Sequence, residues 1–458
     1  MALLKDIVAA IAGKPRDYTQ GSLGRAILLL SIPMVLEMAG QSLFALIDIM
    51  FVGRLGTTPV AIAVLTDQLL MFVFTIAIGL SMGTTALVAR RVGEGDEEQA
   101  SKTALQAILL GAALSLPIAL AGLLFPGTLL GLMGGSEEVI QGGATYLRIY
   151  FGGNVTLFLL FLINAIFRGA GDPSYAMRAL WMANLLNIAL DPVFIFGFGP
   201  VPAYGVEGAA IATTISRGIG VLYQLWILFG GRTTIRLRFD QLAVLPGIMR
   251  RLFSISSIAI LQFFISTMSF LFIARIVAKF GDTALAGYGI AIRLLAFVLL
   301  PVWGVGNAAA TLVGQSLGAD QPDRAEKSVW ITSGVNTIFL VIVGVLFQLF
   351  SVEIAGFLHQ DADVVAIAAE GLRVISYSYL FWGLGMTIVM AFNGAGDTWT
   401  PTKINFFVYW AVQIPLAWWL GRTMGWVGVF WAAAGCQALL AIVGVWAFRR
   451  GTWKTRQV

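Results

Sequence analysis

The sequence predicts an all-α polytopic membrane protein: twelve transmembrane helices in two homologous six-helix bundles, related by a pseudo-two-fold axis along the membrane normal. Three observations carry this. The 458 residues are 58% hydrophobic and only 12% charged, with a mean hydropathy of +0.86, whereas a soluble chain carries about 25% charge. The apolar residues form long blocks parted by short charged segments. The chain also repeats itself at an offset of 225 residues.

The blocks set the spans in order. No charged side chain occurs from Thr103 to Ser136, from Ser328 to Val352 or from Val374 to Gly396, and a membrane-spanning helix needs about 20 mostly apolar residues. Blocks of this size lie at 27–52, 62–89, 103–125, 146–167, 175–197 and 207–229 in one half. The other half has them at 252–278, 286–313, 328–350, 368–391, 404–420 and 427–448. An even count returns both ends to one side. Residues 1–20 read as a polar tail or a short amphipathic lead-in and lack the pattern of a secretory signal peptide.

Basic residues orient the spans. Counted from a cytoplasmic N-terminus, the inner segments hold Lys5, Lys14, Arg16 and Arg25, then Arg90, Arg91 and Lys102, then Arg168 and Arg178. They continue with Arg232, Arg236, Arg238, Arg250 and Arg251, then Arg324 and Lys327, Lys403, and Arg449, Arg450, Lys454 and Arg456. The outer segments offer Arg54, Lys279 and Arg422. This asymmetry predicts both termini in the cytoplasm and accounts for the net charge of +5 without nucleic acid as a partner.

The repeat defines the halves. Phe167-Arg168-Gly169-Ala170-Gly171-Asp172 returns as Phe392-Asn393-Gly394-Ala395-Gly396-Asp397. At the same offset Gly56 falls on Gly281, Gly79 on Gly304, Gly93 on Gly318 and Ala100 on Ala325. We read a tail at 1–20, an N-lobe of helices 1–6 at 21–235 and a C-lobe of helices 7–12 at 236–458. Six spans per half is even, so both halves enter the membrane in the same direction. The GAGD turns read as helix stops, with the aspartate able to accept from amides of the next helix.

Several chemistries are excluded. One cysteine allows no intrachain disulfide framework, and one histidine allows no site that needs two imidazoles. No Walker lysine follows Gly93-Glu94-Gly95, so no ATP-driven engine is encoded. No acid, base and nucleophile cluster can be assembled from the buried polar groups, which argues against an enzyme; no cofactor is expected.

Function is sought in the charges within the spans, which are expensive unless they face a bundle interior or a wet cavity. Asp48 follows Gln41 by seven residues, so both project from nearly one helix face, and Pro33 allows that helix to bend. Glu37, one turn before Gln41, is a further candidate for carrying a proton. Asn187 and Asp191 are one turn apart in span 5. These oxygen-bearing side chains suit a small hard cation or a proton-binding carboxylate pair. At the 225-residue offset Glu37 becomes Gln262, Asp48 becomes Ile273, Asn187 becomes Val412 and Asp191 becomes Leu416. The ion-responsive chemistry is therefore expected in the N-terminal half. Phenylalanine, tryptophan and methionine are abundant enough to serve lipid contact, core mass or a cavity for flat lipophilic cations.

Three stretches carry a resemblance. Asp48-Ile49-Met50-Phe51-Val52-Gly53-Arg54-Leu55-Gly56, Val88-Ala89-Arg90-Arg91-Val92-Gly93 and the duplicated FxGAGD turn resemble the multidrug and toxic compound extrusion (MATE) family, over essentially the whole chain from about Gly24 to Arg450. The resemblance implies two six-helix bundles facing one another across a V-shaped cavity. It also implies export of lipophilic, often cationic organic compounds by alternating access, driven by an inward gradient of sodium ions or protons. The pattern is most similar to the prokaryotic DNA-damage-inducible branch. There the coupling groups lie in the first and fifth helices, matching Asp48, Asn187 and Asp191, with a sixth-helix hydroxyl matched by Thr213 or, as the ion ligand we select, Thr214. The NorM-like branch places acids in its seventh and tenth helices, where this chain has Gln262 and Glu370. The alternative cargo is a lipid-linked or polysaccharide precursor, although no strongly basic cavity is evident for it. Partners are small organic compounds and membrane lipids, and a monomer is expected, since twelve helices can enclose their own cavity.

Overall fold

The computed structural model describes residues 7–11, 13, 17–238 and 243–456, apart from the side chains of residues 44–46 and 49. Lys5, Lys14 and Arg16 of the inner basic set lie outside the described residues. Six long helices build the first bundle: α1 (Leu23–Val52), α2 (Thr57–Gly93), α3 (Glu97–Leu124), α4 (Glu137–Ala170), α5 (Pro173–Phe196) and α6 (Val206–Phe229). The second holds α7 (Pro246–Phe280), α8 (Asp282–Gly318), α9 (Pro322–Leu358), a bent α10 (Ala362–Ser376 and Tyr379–Gly394), α11 and α12 (Trp426–Arg449). Helix α11 runs through Trp399–Asn405, a π-helical stretch Phe406–Gln413 and Ile414–Met424. Among the described residues ten helices are long and apolar enough to cross a membrane, and the bent α10, taken as one span, makes an eleventh; α11 is a continuous helical stretch in three parts.

The helices outrun the apolar blocks that announce them. Helix α4 begins at Glu137, not 146, because its first part, Glu137–Gly152, is amphipathic and caps itself with Ser136 on the Val139 amide. Helix α10 likewise begins at Ala362, capped by Asp361. Both helices break at equivalent places, α4 at Gly153 and α10 at Tyr377–Ser378, the latter through 62°. Symmetry fails in α11. Pro415 lacks the amide that would close the ladder there, and the preceding turns widen to π geometry; its counterpart α5 is α-helical throughout.

The bundles meet along a seam built on that symmetry. Helix α1 lies against α8, α7 lies against α2, and α2 crosses α8. Glycines set the approach. A Cβ on Gly79 would come 2.6 Å from the Ile260 amide nitrogen, and one on Gly304 would come 2.8 Å from that of Val35. Both glycines and both partners are 225 residues apart. Gly93 meets Gln315 while Gly318 meets Arg90 across the seam, and within each bundle Gly169 of α4 meets Thr85 of α2 as Gly394 of α10 meets Ala310 of α8, each pair obeying the same offset. Away from the seam, large apolar side chains such as Leu116, Leu120 and Leu124 on α3 and Ile338, Ile342 and Leu349 on α9 are exposed, as a lipid-facing surface requires.

The N-terminal segment closes one end of the seam. Tyr18 is buried against α1 and α8. The Arg324 guanidinium at the start of α9 donates to the carbonyls of Tyr18, Gln20 and Gly21, and Arg178 of α5 donates to that of Ile11 at 2.6 Å. The lead-in is thus tied to both bundles.

Candidate functional site

Two polar features stand out, a cluster inside the first bundle and a cavity between the bundles. The cluster is built from α1, α2, α4, α5 and α6. Asp191 is fully buried on α5, and the one-turn spacing to Asn187 lets the Asn187 amide donate to Asp191 Oδ1 at 3.1 Å and to Thr213 Oγ1 of α6 at 3.2 Å. Asp48 of α1 lies within electrostatic reach of Asp191, of Asp67 on α2 and of Arg217 on α6. Arg217 stacks over Tyr150 of α4, 5.4 Å from the ring centre, and Tyr146 packs beside Tyr150 with ring centres 5.9 Å apart. Three buried oxygens here have no donor: Asp48 Oδ1, Asn187 Oδ1 and Asp191 Oδ2. A buried acceptor without a donor is costly, and a proton or a small cation is what this oxygen set can take. Among the described residues no three Asp, Glu, His or Cys side chains form a metal-binding group; any cation would rely on the amide and hydroxyl oxygens as well.

Asp48, Asn187, Asp191 and Thr213 are brought into one cluster. Thr214 is turned away, its methyl group filling the space beside Gly153 at the break in α4; adjacent residues on a helix point about 100° apart, so only one of the two threonines can face Asn187. Glu37 is not part of this cluster. It is buried and paired with Arg168 of α4, Oε1 to Nη1 at 2.8 Å, and accepts from Asn164 Nδ2 at 3.0 Å, while Gln224 of α6 donates to Asn164 Oδ1 at 2.6 Å. This network ties α1, α4 and α6 together. Arg168, assigned to an inner connection by the basic-residue pattern, is thereby corrected to a buried group, since α4 continues past it and its side chain reaches Glu37. Gln41 lies on the cavity wall, and Pro33 lies within α1.

The cavity between the bundles has a volume of about 400 Å³. Phe161, Phe270, Trp303, Met82 and Met390 supply its walls, and Arg168 and Asn393, equivalent residues of the two FxGAGD turns, line it together. The turns behave as helix stops, with Gly171 at φ +86° and Gly396 at φ +79°. Their aspartates differ from expectation in one half. Asp397 accepts from the Thr400 amide and hydroxyl at 3.3 and 2.6 Å, whereas Asp172 makes no cap and accepts instead from the amide of Thr234 between the bundles. Side chains of α8 cover the carbonyl end of α4, Thr311 donating to Arg168 O and Gln315 to Gly169 O.

The family profile described as MatE matches twice, at residues 33–193 and 259–419, one match in each bundle. The chain belongs to the MATE family. A relative named "Probable multidrug resistance protein YoeA" from Bacillus subtilis (strain 168) is 29% identical over 461 residues, covering 95% of this chain and 96% of the relative. The "FAD transporter" of Shewanella oneidensis is 26% identical over 396 residues, covering 86% of this chain and 87% of its own. A solved structure titled as the outward-facing conformation of a multidrug resistance MATE family transporter superposes with a TM-score of 0.89 at 25% identity, covering 96% of this chain and 98% of that one. This MATE chain is therefore a multi-pass secondary transporter and not an enzyme.

Sequence reasoning missed Asp67, Arg217, Tyr146 and Tyr150 in this MATE bundle. Asp67 and Arg217 were legible as charges inside apolar blocks. Nothing in their local spacing points to Asp48, because each comes from a different helix.

Proposed function

We propose that the chain is a cation-coupled antiporter exporting lipophilic organic compounds, many of them cationic, in which Asp48, Asn187, Asp191 and Thr213 hold the coupling ion. What supports this is the convergence of three buried acceptor oxygens without a donor, on Asp48, Asn187 and Asp191, in the bundle whose carboxylates the repeat does not duplicate. Protonation or sodium binding stabilises that cluster, and coupling requires only that the two access states differ in affinity for the ion. One monovalent cation crossing 100 mV supplies about 2.3 kcal/mol. The chain is assigned to the DNA-damage-inducible branch because its acids lie in helices one and five. Sodium or a proton is the transported ion, no resident cofactor takes part, and the unit is a monomer in membrane lipid.

The lobes are taken as 21–235 and 236–458, with both termini on the cytoplasmic side of the inner membrane. On that orientation the end sealed by the N-terminal segment, Gly93 and Gly318 is cytoplasmic, and the arrangement described is outward-facing. Its cargo site is the central cavity. The test is flux of a fluorescent organic cation in proteoliposomes with sodium and proton gradients imposed separately. Flux should follow one gradient and collapse in Asp48→Asn and Asp191→Asn. Undiminished gradient-driven flux in both variants would overturn the coupling assignment.

A further inference from the structure

The central cavity is lined by one formal charge, and that charge is positive. Among its described lining residues only Arg168 is ionised; the other hydrogen-bonding side chains are Gln41, Ser81, Thr85, Asn307, Asn393 and the Trp303 indole. Arg168 is 8% exposed. Its guanidinium spends one donor on Glu37, which lies deeper and is fully buried. A guanidinium offers five N–H donors and no acceptor, and among the described residues no further protein acceptor meets this one. Its free edge is what the cavity presents. Beside it, the buried Asn393 amide nitrogen spends one N–H on the Met82 sulfur at 3.5 Å and keeps its second N–H for an incoming oxygen, while its Oδ1, an acceptor, has no donor.

We propose that Arg168, with Asn393, forms an acid-recognising subsite in this cavity, so that the preferred cargo is a planar aromatic compound bearing a carboxylate, a zwitterion or amphipathic anion rather than a permanent cation. The inference rests on the reading of the central cavity as the cargo site. Glu37 is fully buried and absent from the cavity lining, so a carboxylate at the free edge of the guanidinium stands nearer to that cation than to Glu37, and attraction exceeds repulsion. The bidentate geometry of a guanidinium favours a carboxylate specifically. A permanent cation meets a like charge there and is held by the aromatic and sulfur-bearing walls alone, at Phe161, Phe270, Trp303 and Met82.

The test uses two dyes with one ring system, rhodamine 110, which carries a carboxylate, and rhodamine 123, its methyl ester cation. Their equilibrium binding to the purified full chain in nanodiscs is read by fluorescence anisotropy at neutral pH, without an ion gradient, so failure of ion coupling would leave this result untouched. The native chain should bind rhodamine 110 roughly tenfold or more tighter than its ester, the scale of one charge-assisted hydrogen-bonded contact. The paired variant Glu37→Gln with Arg168→Gln keeps the buried contact neutral and should erase the preference, while rhodamine 123 affinity stays within about twofold, which also reports an intact cavity. Asn393→Ala should weaken rhodamine 110 alone. Equal affinities in the native chain, binding of neither dye, or a preference that survives the paired variant would overturn the proposal.

Discussion

The seam glycines offer the sharpest test of how the two bundles move. Alanine at Gly79 would place its Cβ 2.6 Å from the Ile260 nitrogen, and alanine at Gly304 would place its own 2.8 Å from the Val35 nitrogen. Ordinary contact begins near 3.5 Å; the obstructing atoms at Gly304 are all backbone, and at Gly79 they are the Ile260 backbone together with its Cγ1, so a side-chain rotation alone cannot relieve either clash. The helices must part, and overpacking of this kind costs about 1–3 kcal/mol. If the seam opens during transport, that cost falls on the sealed state alone, and about 2 kcal/mol moves the equilibrium between access states by roughly thirtyfold. Spin labels placed on the ends of α2 and α8 nearest Gly93 and Gly318 would read this by electron–electron distance measurement. Both variants should enrich the longer distance, and to a similar degree, because the two contacts are equivalent. An unchanged distance distribution with only a lowered melting temperature would refute the reasoning, since it would mean the contact persists through the cycle.

Other expectations follow from the same geometry. Glu37→Gln leaves the Arg168 guanidinium buried without its counter-charge and should lower stability by about 3–5 kcal/mol in thermal unfolding, with Arg168→Gln in the same chain recovering much of the loss. Asp172, in the turn between α4 and α5, has its carboxyl held up to about 6 by burial, which the Thr234 amide partly offsets. Its folded value thus lies above the unfolded one, so its contribution to stability is full below about pH 4 and is lost as pH rises through about 6. Asp172→Asn should therefore raise the melting temperature at pH 7.5 and change it little at pH 4.5, by up to about 3 kcal/mol for a shift of two units. Arg324→Ala removes the donors to Tyr18, Gln20 and Gly21 and should speed tryptic cleavage before α1 without loss of helix content. Thr213→Ala should impair ion-driven flux while Thr214→Ala leaves it near native, as measured in proteoliposomes.

Whatever depends on neighbours along the chain was legible in the sequence. Span lengths follow from runs of apolar residues, because lipid admits no unpaired backbone. The duplication is written in the FxGAGD turns, whose glycines adopt the left-handed backbone that ends a helix, and the Asn187 and Asp191 spacing places two polar groups on one face of α5. The tertiary structure decided what depends on the angle at which helices meet. It separated Glu37 from Asp48, though both sit on α1, by giving Glu37 the Arg168 guanidinium of α4. It chose Thr213 over Thr214 through the rotation of α6, and it gathered Asp67, Arg217 and two tyrosines around Asp48 from three other helices. It also turned Arg168 from a surface charge into the cavity's one ionised group. Periodicity records which face of a helix is polar, but only packing brings a particular face of one helix against a particular face of another.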